Sequence, residues 1–248
     1  MVKDLYRAVS KCGVDYVEIG FRSSSKYFDP DKVGHWRFTP EETVDEVCEN
    51  VLGAKISLMI DFGKADLKDL PPAEKSQVSL YRIAAHKNKM LDAIKFADAV
   101  AHKGYETAIQ LMGIVGYNQE DLDRIIKPLR DSKITYVYFA DSYGSLLPSE
   151  IKKYIDLLKV TGKKLGFHPH NNMQLAFSNS LVAIEHEIDI VDGTVFGMGR
   201  GAGNLPLETL ITYFQKTGDE ERFNVLPILD IIGKYFTKMF EKHPWGYN

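Results

Sequence analysis

Seven short runs of apolar and β-branched residues recur along the whole chain, most of them followed by an amphipathic stretch. They cover residues 14–22 (VDYVEIGFR), 54–62 (AKISLMIDF), 78–86 (VSLYRIAAH), 106–114 (ETAIQLMGI), 134–141 (ITYVYFAD), 164–170 (KLGFHPH) and 188–195 (IDIVDGTV). Strands that alternate with helices imply a parallel sheet, because each crossover must return the chain to the starting end of the next strand. Residues 118–132 read as a helix capped by Asn118, with acids in its first turn. Residues 147–161 read as another, with Pro148 near the start, where a missing N–H does no harm. Residues 63–77 are weakly patterned and read as a short helix or loop, whereas 207–216 and 225–240 read as helices. Seven strands without an obvious topological switch favour an α/β fold of the (β/α)8 TIM-barrel type over a doubly wound sheet, and 248 residues is a usual barrel length. The count is one strand short, because the chain opens in a helical pattern over residues 2–12. No linker or break in composition appears, so residues 1–248 read as one barrel domain, missing its first strand and carrying an extra C-terminal helix.

The formal net charge of −3 gives no basic footprint for nucleic acid and no polybasic patch for a membrane surface. No run of 18 apolar residues exists to span a bilayer. The opening MVKDLYRAVS, with Lys3, Asp4 and Arg7, reads as neither a signal nor a transit peptide. Cys12 and Cys48 are no disulfide framework, which suits a reducing, cytoplasmic setting.

The segment 166–172, GFHPHNN, places two histidines one residue apart on a strand. Residues i and i+2 face the same way, so His168 and His170 point together near the strand's carboxyl end, where barrel enzymes keep their sites. Two imidazoles at that spacing suit one borderline divalent ion such as Mn²⁺, Fe²⁺ or Zn²⁺; they equally suit two hydrogen-bonded histidines in a polar barrel mouth. Asn171 and Asn172 can orient the rings or contact a ligand.

Residues 197–204, GMGRGAGN, form a glycine-rich turn after the last strand. Only helices follow it, so it is no dinucleotide fingerprint, and it lacks the Gly-Lys-Ser/Thr ending of a triphosphate loop. It reads either as a nest of N–H groups for a carboxylate or phosphate, with Asn204 reaching a metal, or as a flexible turn needing positive φ. In residues 140–148, ADSYGSLLP, Asp141 can orient a ligand histidine and Ser142 can bond substrate, or both can simply cap the turn. Asp192 and Thr194 alternate with apolar neighbours and line the same mouth. Arg22, Arg82 and His86 also end strands; Arg82 suits a carboxylate clamp, or an ion pair with Glu18 or Asp141.

Residues 166–208 together resemble the carboxyl-terminal signature of the metal-dependent aldolase and acyltransferase barrels. That superfamily includes 4-hydroxy-2-oxovalerate aldolase, 3-hydroxy-3-methylglutaryl-CoA lyase, and isopropylmalate and homocitrate synthases. The H-x-H-N strand, the L-A-x-x-N-S-L-x-A-I helix, the V-D-G-T strand and the G-M-G-x-G-A-G-N loop occur in order, with DSYGSLLP and YRIAAH extending the match. The loop has neither the catalytic Cys of the lyase branch nor the Gly-Glu-Arg typical of isopropylmalate synthases, and is most similar to the aldolases. The resemblance implies His168, His170 and Asn204 at a divalent metal, with Mn²⁺ favoured and Mg²⁺, Co²⁺ or Zn²⁺ as alternatives. It implies that Ser142 helps position substrate; Asp141 and Arg82 join it as candidate catalytic residues, and Gly199, Gly201 and Gly203 as candidate substrate contacts, from their places at strand ends and in the glycine turn. The implied reaction is cleavage of a 4-hydroxy-2-oxo acid to pyruvate and an aldehyde. An acyl-CoA/2-oxo acid condensing transferase and a non-catalytic metal- or ligand-binding barrel are the alternatives. A homodimer is expected from exposed sheet edges.

The sequence departs from the family at its start. The family's first strand carries an Arg-Asp-Gly motif that supplies a metal-ligating Asp and a charge-stabilising Arg, and nothing of the kind precedes Val14. Three explanations stand: a trimmed form of a longer chain, which is favoured; a natural open barrel; or Glu18, Asp61 or Asp141 as the third ligand. The helical domain with which bacterial relatives dock a dehydrogenase is not evident after residue 240, which puts that partnership in doubt.

Overall fold

The computed structural model describes residues 1–51, 53–218 and 221–246. After α1 (Val2–Ser10) come β1 (Tyr16–Phe21), α2 (Glu41–Cys48), β2 (Lys55–Asp61), β3 (Val78–Ala85) and α3 (Met90–Ala101). They are followed by β4 (Glu106–Leu111), α4 (Gln119–Asp131), β5 (Tyr136–Asp141), α5 (Pro148–Lys159), β6 (Lys164–Pro169), α6 (Ala176–Glu185) and β7 (Ile190–Val191). The seven strands form one parallel sheet in chain order. Among the described residues β1 and β7 do not pair with each other, so the sheet is a barrel wall lacking one strand. It curls on itself: the Tyr16 hydroxyl of β1 lies 3.2 Å from that of Tyr136 on β5.

Period-two alternation decides what each strand residue can do. One set, including Leu58, Ile83, Ile109, Phe139 and Phe167, packs outward against the helices in the main core. Each such side chain, once buried, contributes about 1.5–3 kcal/mol. The other set turns inward, where Leu80, Ala108, Tyr136 and Tyr138 meet Tyr16 and Ile190. Above this apolar plug the inner face becomes polar, which is where a site can form.

The helix starts follow from local chemistry. Asn118 caps α4 by accepting from Asp121 N at 2.8 Å, and Pro148 sits in the first turn of α5. Residues 63–77 hold two short 3-10 turns, Leu67–Asp69 and Ala73–Lys75. α7 (Leu207–Thr217) precedes α8 (Leu226–Ile231) and α9 (Thr237–Lys242), joined by a π turn, Ile232–Phe236. These C-terminal helices share a core with α1 through Val9, Cys12, Ile228, Ile231 and Phe236. They cover the outside of the wall between β1 and β7.

β7 is shorter than the run 188–195 suggests. Beyond Val191 the returning segment 204–206 takes over the pairing, with bridges His170–Asn204 and Thr194–Pro206. Leu205 N donates to Pro169 O at 3.3 Å and Thr194 N to Leu205 O at 2.9 Å. The glycine loop is thereby folded back between the tops of β6 and β7.

Candidate functional site

His168 and His170 share the inner face above Gly166, with ring centroids 5.2 Å apart and planes at 77°. His168 Nδ1 lies 2.8 Å from Asp192 Oδ2, which leaves its Nε2 for a ligand. Asp192 is held by its own N–H, which donates to Phe167 O at 3.0 Å. The same carboxylate accepts from Arg82 Nη1. Arg82 in turn donates from Nε and Nη2 to Glu18, at 2.9 and 2.7 Å. A continuous chain of charge, Glu18–Arg82–Asp192–His168, thus crosses the interior from β1 through β3 to β7 and β6.

This corrects the expectation for Arg82. All three of its guanidinium nitrogens are engaged by carboxylates, so no free fork remains to clamp substrate. It acts on the site through Asp192. Burial alone would raise the Asp192 carboxyl; the Arg82 charge and the His168 hydrogen bond outweigh it and hold the group below its ordinary value. His170 is pushed down to about 4 by burial, with the nearby His168 and Arg200 adding to the effect. It is neutral at pH 7, with a lone pair available.

Asn204 is brought to His170 by the loop fold. Its Nδ2 donates to Met198 O at 3.1 Å, while its Oδ1 is buried and without a partner among the described residues. Two glycines make this approach possible. A Cβ on Gly199 would meet Asn204 Nδ2 at 2.8 Å, and one on Gly203, at φ +82°, would meet Gly197 O at 2.2 Å. The N–H of Gly203 donates to Arg200 O and that of Asn204 to Gly197 O, both at 3.1 Å. The anion-nest reading therefore fails at Gly203, whose N–H is used within the loop. Gly201 closes the turn at φ +59°.

Asp141 is also corrected. Tyr136 and Tyr138 face inward, so Asp141, three residues from Tyr138, belongs to the outward set. Its oxygens accept from Ser145 N at 2.9 Å and Leu146 N at 3.1 Å, which makes it the cap of the turn after β5. Replacing Asp141 by Ala is expected to destabilise the fold by about 1–3 kcal/mol, because two N–H groups lose their acceptor. Divalent-metal affinity should not change; a denaturation curve beside a metal titration would show both, and lost affinity with intact stability would restore it to the site. Ser142, just past the end of β5, accepts at Oγ from Gly113 N at 2.9 Å, which leaves its hydroxyl proton to donate.

The acids offered as a third ligand are all engaged: Glu18 by Arg82, Asp61 by Arg37, and Asp141 by its turn. Among the described residues no three His, Cys, Asp or Glu side chains form a metal-binding group. Arg22 pairs with Glu41, Thr194 Oγ1 donates to Met198 O at 2.8 Å, and His86 is exposed at the end of β3. Two imidazoles share the inner face, and the backbone bridge to His170 sets Asn204, with its unpartnered oxygen, next in the pairing. That set fits a borderline divalent ion and would leave positions open for a chelating ligand.

A family model described as HMGL-like matches residues 1–232. The chain belongs to the HMGL-like family. It is 30% identical over 228 residues to 4-hydroxy-2-oxovalerate aldolase of Pelotomaculum thermopropionicum, covering 90% of this chain and 66% of that protein. Oxaloacetate decarboxylase of Mycobacterium tuberculosis is 28% identical over 218 residues, covering 88% and 64%. Among solved structures, the N-terminal domain of a putative aldolase from Bacteroides vulgatus superposes with a TM-score of 0.83 at 29% identity, over 100% of this chain and 82% of that one. The HMG-CoA lyase of Bacillus subtilis, at 16% identity, has a TM-score of 0.76 over 96% and 86%, and shares the fold. The chain spans about two thirds of the length of the curated relatives it matches. Among the described residues no helix is long and apolar enough to cross a membrane.

Within this HMGL-like site, sequence reasoning gave Asp192 only a place at the mouth and missed its bond to His168. The signal was available in the alternation: Ile190 faces inward, and Asp192 follows it by two.

Proposed function

We propose that this chain is a divalent-metal-dependent lyase that cleaves a 4-hydroxy-2-oxo acid into pyruvate and an aldehyde. The observation that carries the reading is the His168–His170 pair, one ring fixed by Asp192, with Asn204 bridged to the His170 backbone and its buried oxygen without a partner among the described residues. His168, His170 and Asn204 would hold the ion, for which Mn²⁺ is our choice. When bound, it would supply Lewis-acid polarisation of the 2-oxo and carboxylate oxygens. The Asp192 carboxylate would keep the proton of His168 on Nδ1 and so leave the Nε2 lone pair free. Burial keeps His170 neutral, and the Ser142 hydroxyl donates to substrate oxygen. In the reaction the C4 hydroxyl gives its proton to solvent water, the C3–C4 bond breaks, and its electron pair passes to the C2 carbonyl as the pyruvate enolate. C3 then takes a proton. Names of the curated relatives support this reading, and oxaloacetate decarboxylase among them would pass through the same enolate. A cytoplasmic homodimer completes the proposal.

The test is pyruvate release from 4-hydroxy-2-oxovalerate by metal-stripped protein with and without added Mn²⁺. Release is expected only with metal and should fall at least about 100-fold in His168→Ala. Metal-independent release, or acetyl-CoA-dependent consumption of a 2-oxo acid instead, would overturn the aldolase reading.

A further inference from the structure

We propose that Gln110 reads a hydroxyl on the aldehyde portion of the substrate; this rests on the aldolase reading above. Gln110 lies on β4 two residues after Ala108, which belongs to the inner plug, so its side chain enters the barrel interior. It is buried, and its Oε1 has no hydrogen-bond partner among the described residues. An unpartnered buried amide oxygen is unfavourable, whereas Met or Leu would fill the same volume without that penalty. A polar group kept there needs another reason.

The register supplies one. Gln110 is level with Ala84 on β3 and with Tyr138 on β5, and Tyr138 is level with Gly166 on β6. His168 stands two residues above Gly166, and Ala140, level with it, is the wall residue between. Ala84 and Ala140 carry only short side chains on this face, while the Tyr138 ring lies over Gly166 and floors the way from Gln110 to the two histidines. Strand spacing puts the Gln110 and His168 backbones roughly 12 Å apart along the wall. Two inward side chains and an oxo acid of four or five carbons fill such a span.

An acid held at the imidazoles by its 2-oxo end therefore presents its aldehyde portion to Gln110. An amide offers both a donor and an acceptor, and a hydroxyl satisfies both, whereas a methyl group satisfies neither. The substrate class is a 4-hydroxy-2-oxo acid with a further hydroxyl beyond C4, of the kind a sugar-derived aldehyde gives.

The test compares condensation of pyruvate with glycolaldehyde and with acetaldehyde, which differ by one hydroxyl, using the full chain with Mn²⁺ and its Gln110→Met variant. The unaltered chain should favour glycolaldehyde by about 10- to 100-fold in kcat/KM, mostly through KM, and Gln110→Met should bring the ratio near one. In metal-free protein the same substitution should raise Tm by about 2–4 °C by removing the unpartnered amide. A ratio that the substitution does not move makes Gln110 a buried residue without a ligand role and overturns the proposal. A fall in Tm shows a structural partner and overturns it too. If neither aldehyde turns over, the aldolase reading has failed separately. Calorimetry with 5-hydroxy-2-oxopentanoate and 2-oxopentanoate, which differ by the hydroxyl on C5, then decides the role of Gln110. A preference for the hydroxylated acid of about 10-fold that Gln110→Met abolishes sustains it, and equal affinities in the unaltered chain overturn it.

Discussion

Arg82→Met is expected to lower the stability of the fold by about 3–5 kcal/mol, the usual result of removing one partner from a buried ionic group. Arg82 is buried and carries two carboxylates, Glu18 and Asp192, on its three nitrogens. Without it both acids keep their desolvation penalty and lose the charge that offsets it. The contrast is with exposed pairs such as Lys152–Asp156, where solvent screening leaves the same operation little effect. Burial, not the count of ion pairs, sets the size. The pH dependence carries a second signature. Asp192 is held below its ordinary value, so it contributes stability above about pH 4 that is lost as pH falls through its lower folded value. In Arg82→Met only His168 is left to oppose burial at Asp192, its carboxyl rises, and acid unfolding should begin at higher pH. Urea denaturation at pH 7 and at pH 5 would measure both effects. A loss under about 1 kcal/mol at pH 7, with an unchanged acid limb, would show that the chain of charge does not hold the interior together.

The periodicity of the chain made the strands and most helices legible, because alternating burial leaves a repeat that needs no partner to be seen. The histidine pair was legible for the same reason: two residues apart on a strand means one face. What escaped were contacts between strands far apart in sequence. Arg82 and Asp192 are 110 residues apart, and only closure of the sheet shows that they meet. For Asp141 the sequence left a site role and a turn cap open, and its own strand favoured the cap, since it is out of phase with Tyr136 and Tyr138. The shortness of β7 could not be read from residues 188–195, because a loop that folds back from residue 204 ends the strand's pairing.

Asp192→Asn should reduce divalent-metal affinity by about 10- to 100-fold while changing the volume of the side chain hardly at all. The reasoning concerns one proton. With Asp192 ionised, the bond to His168 Nδ1 fixes the N–H on that nitrogen and leaves the Nε2 lone pair for a metal. An Asn at this position can turn its amide N–H toward Nδ1, which moves the imidazole proton to Nε2 and blocks coordination there. It also leaves the Arg82 charge balanced by Glu18 alone, a second positive influence on the site. His168→Ala removes a donor outright and should weaken binding at least as much. A structural role for Asp192 would instead predict lower stability with metal affinity intact. Calorimetric titration of Mn²⁺ into metal-stripped protein, at a temperature where both variants keep their native circular dichroism, separates the cases. Equal Mn²⁺ affinity in Asp192→Asn and the unaltered chain would mean that His168 needs no orienting carboxylate. Equal affinity in His168→Ala as well would remove the imidazole pair from the metal altogether, and with it the basis for lyase chemistry at this mouth.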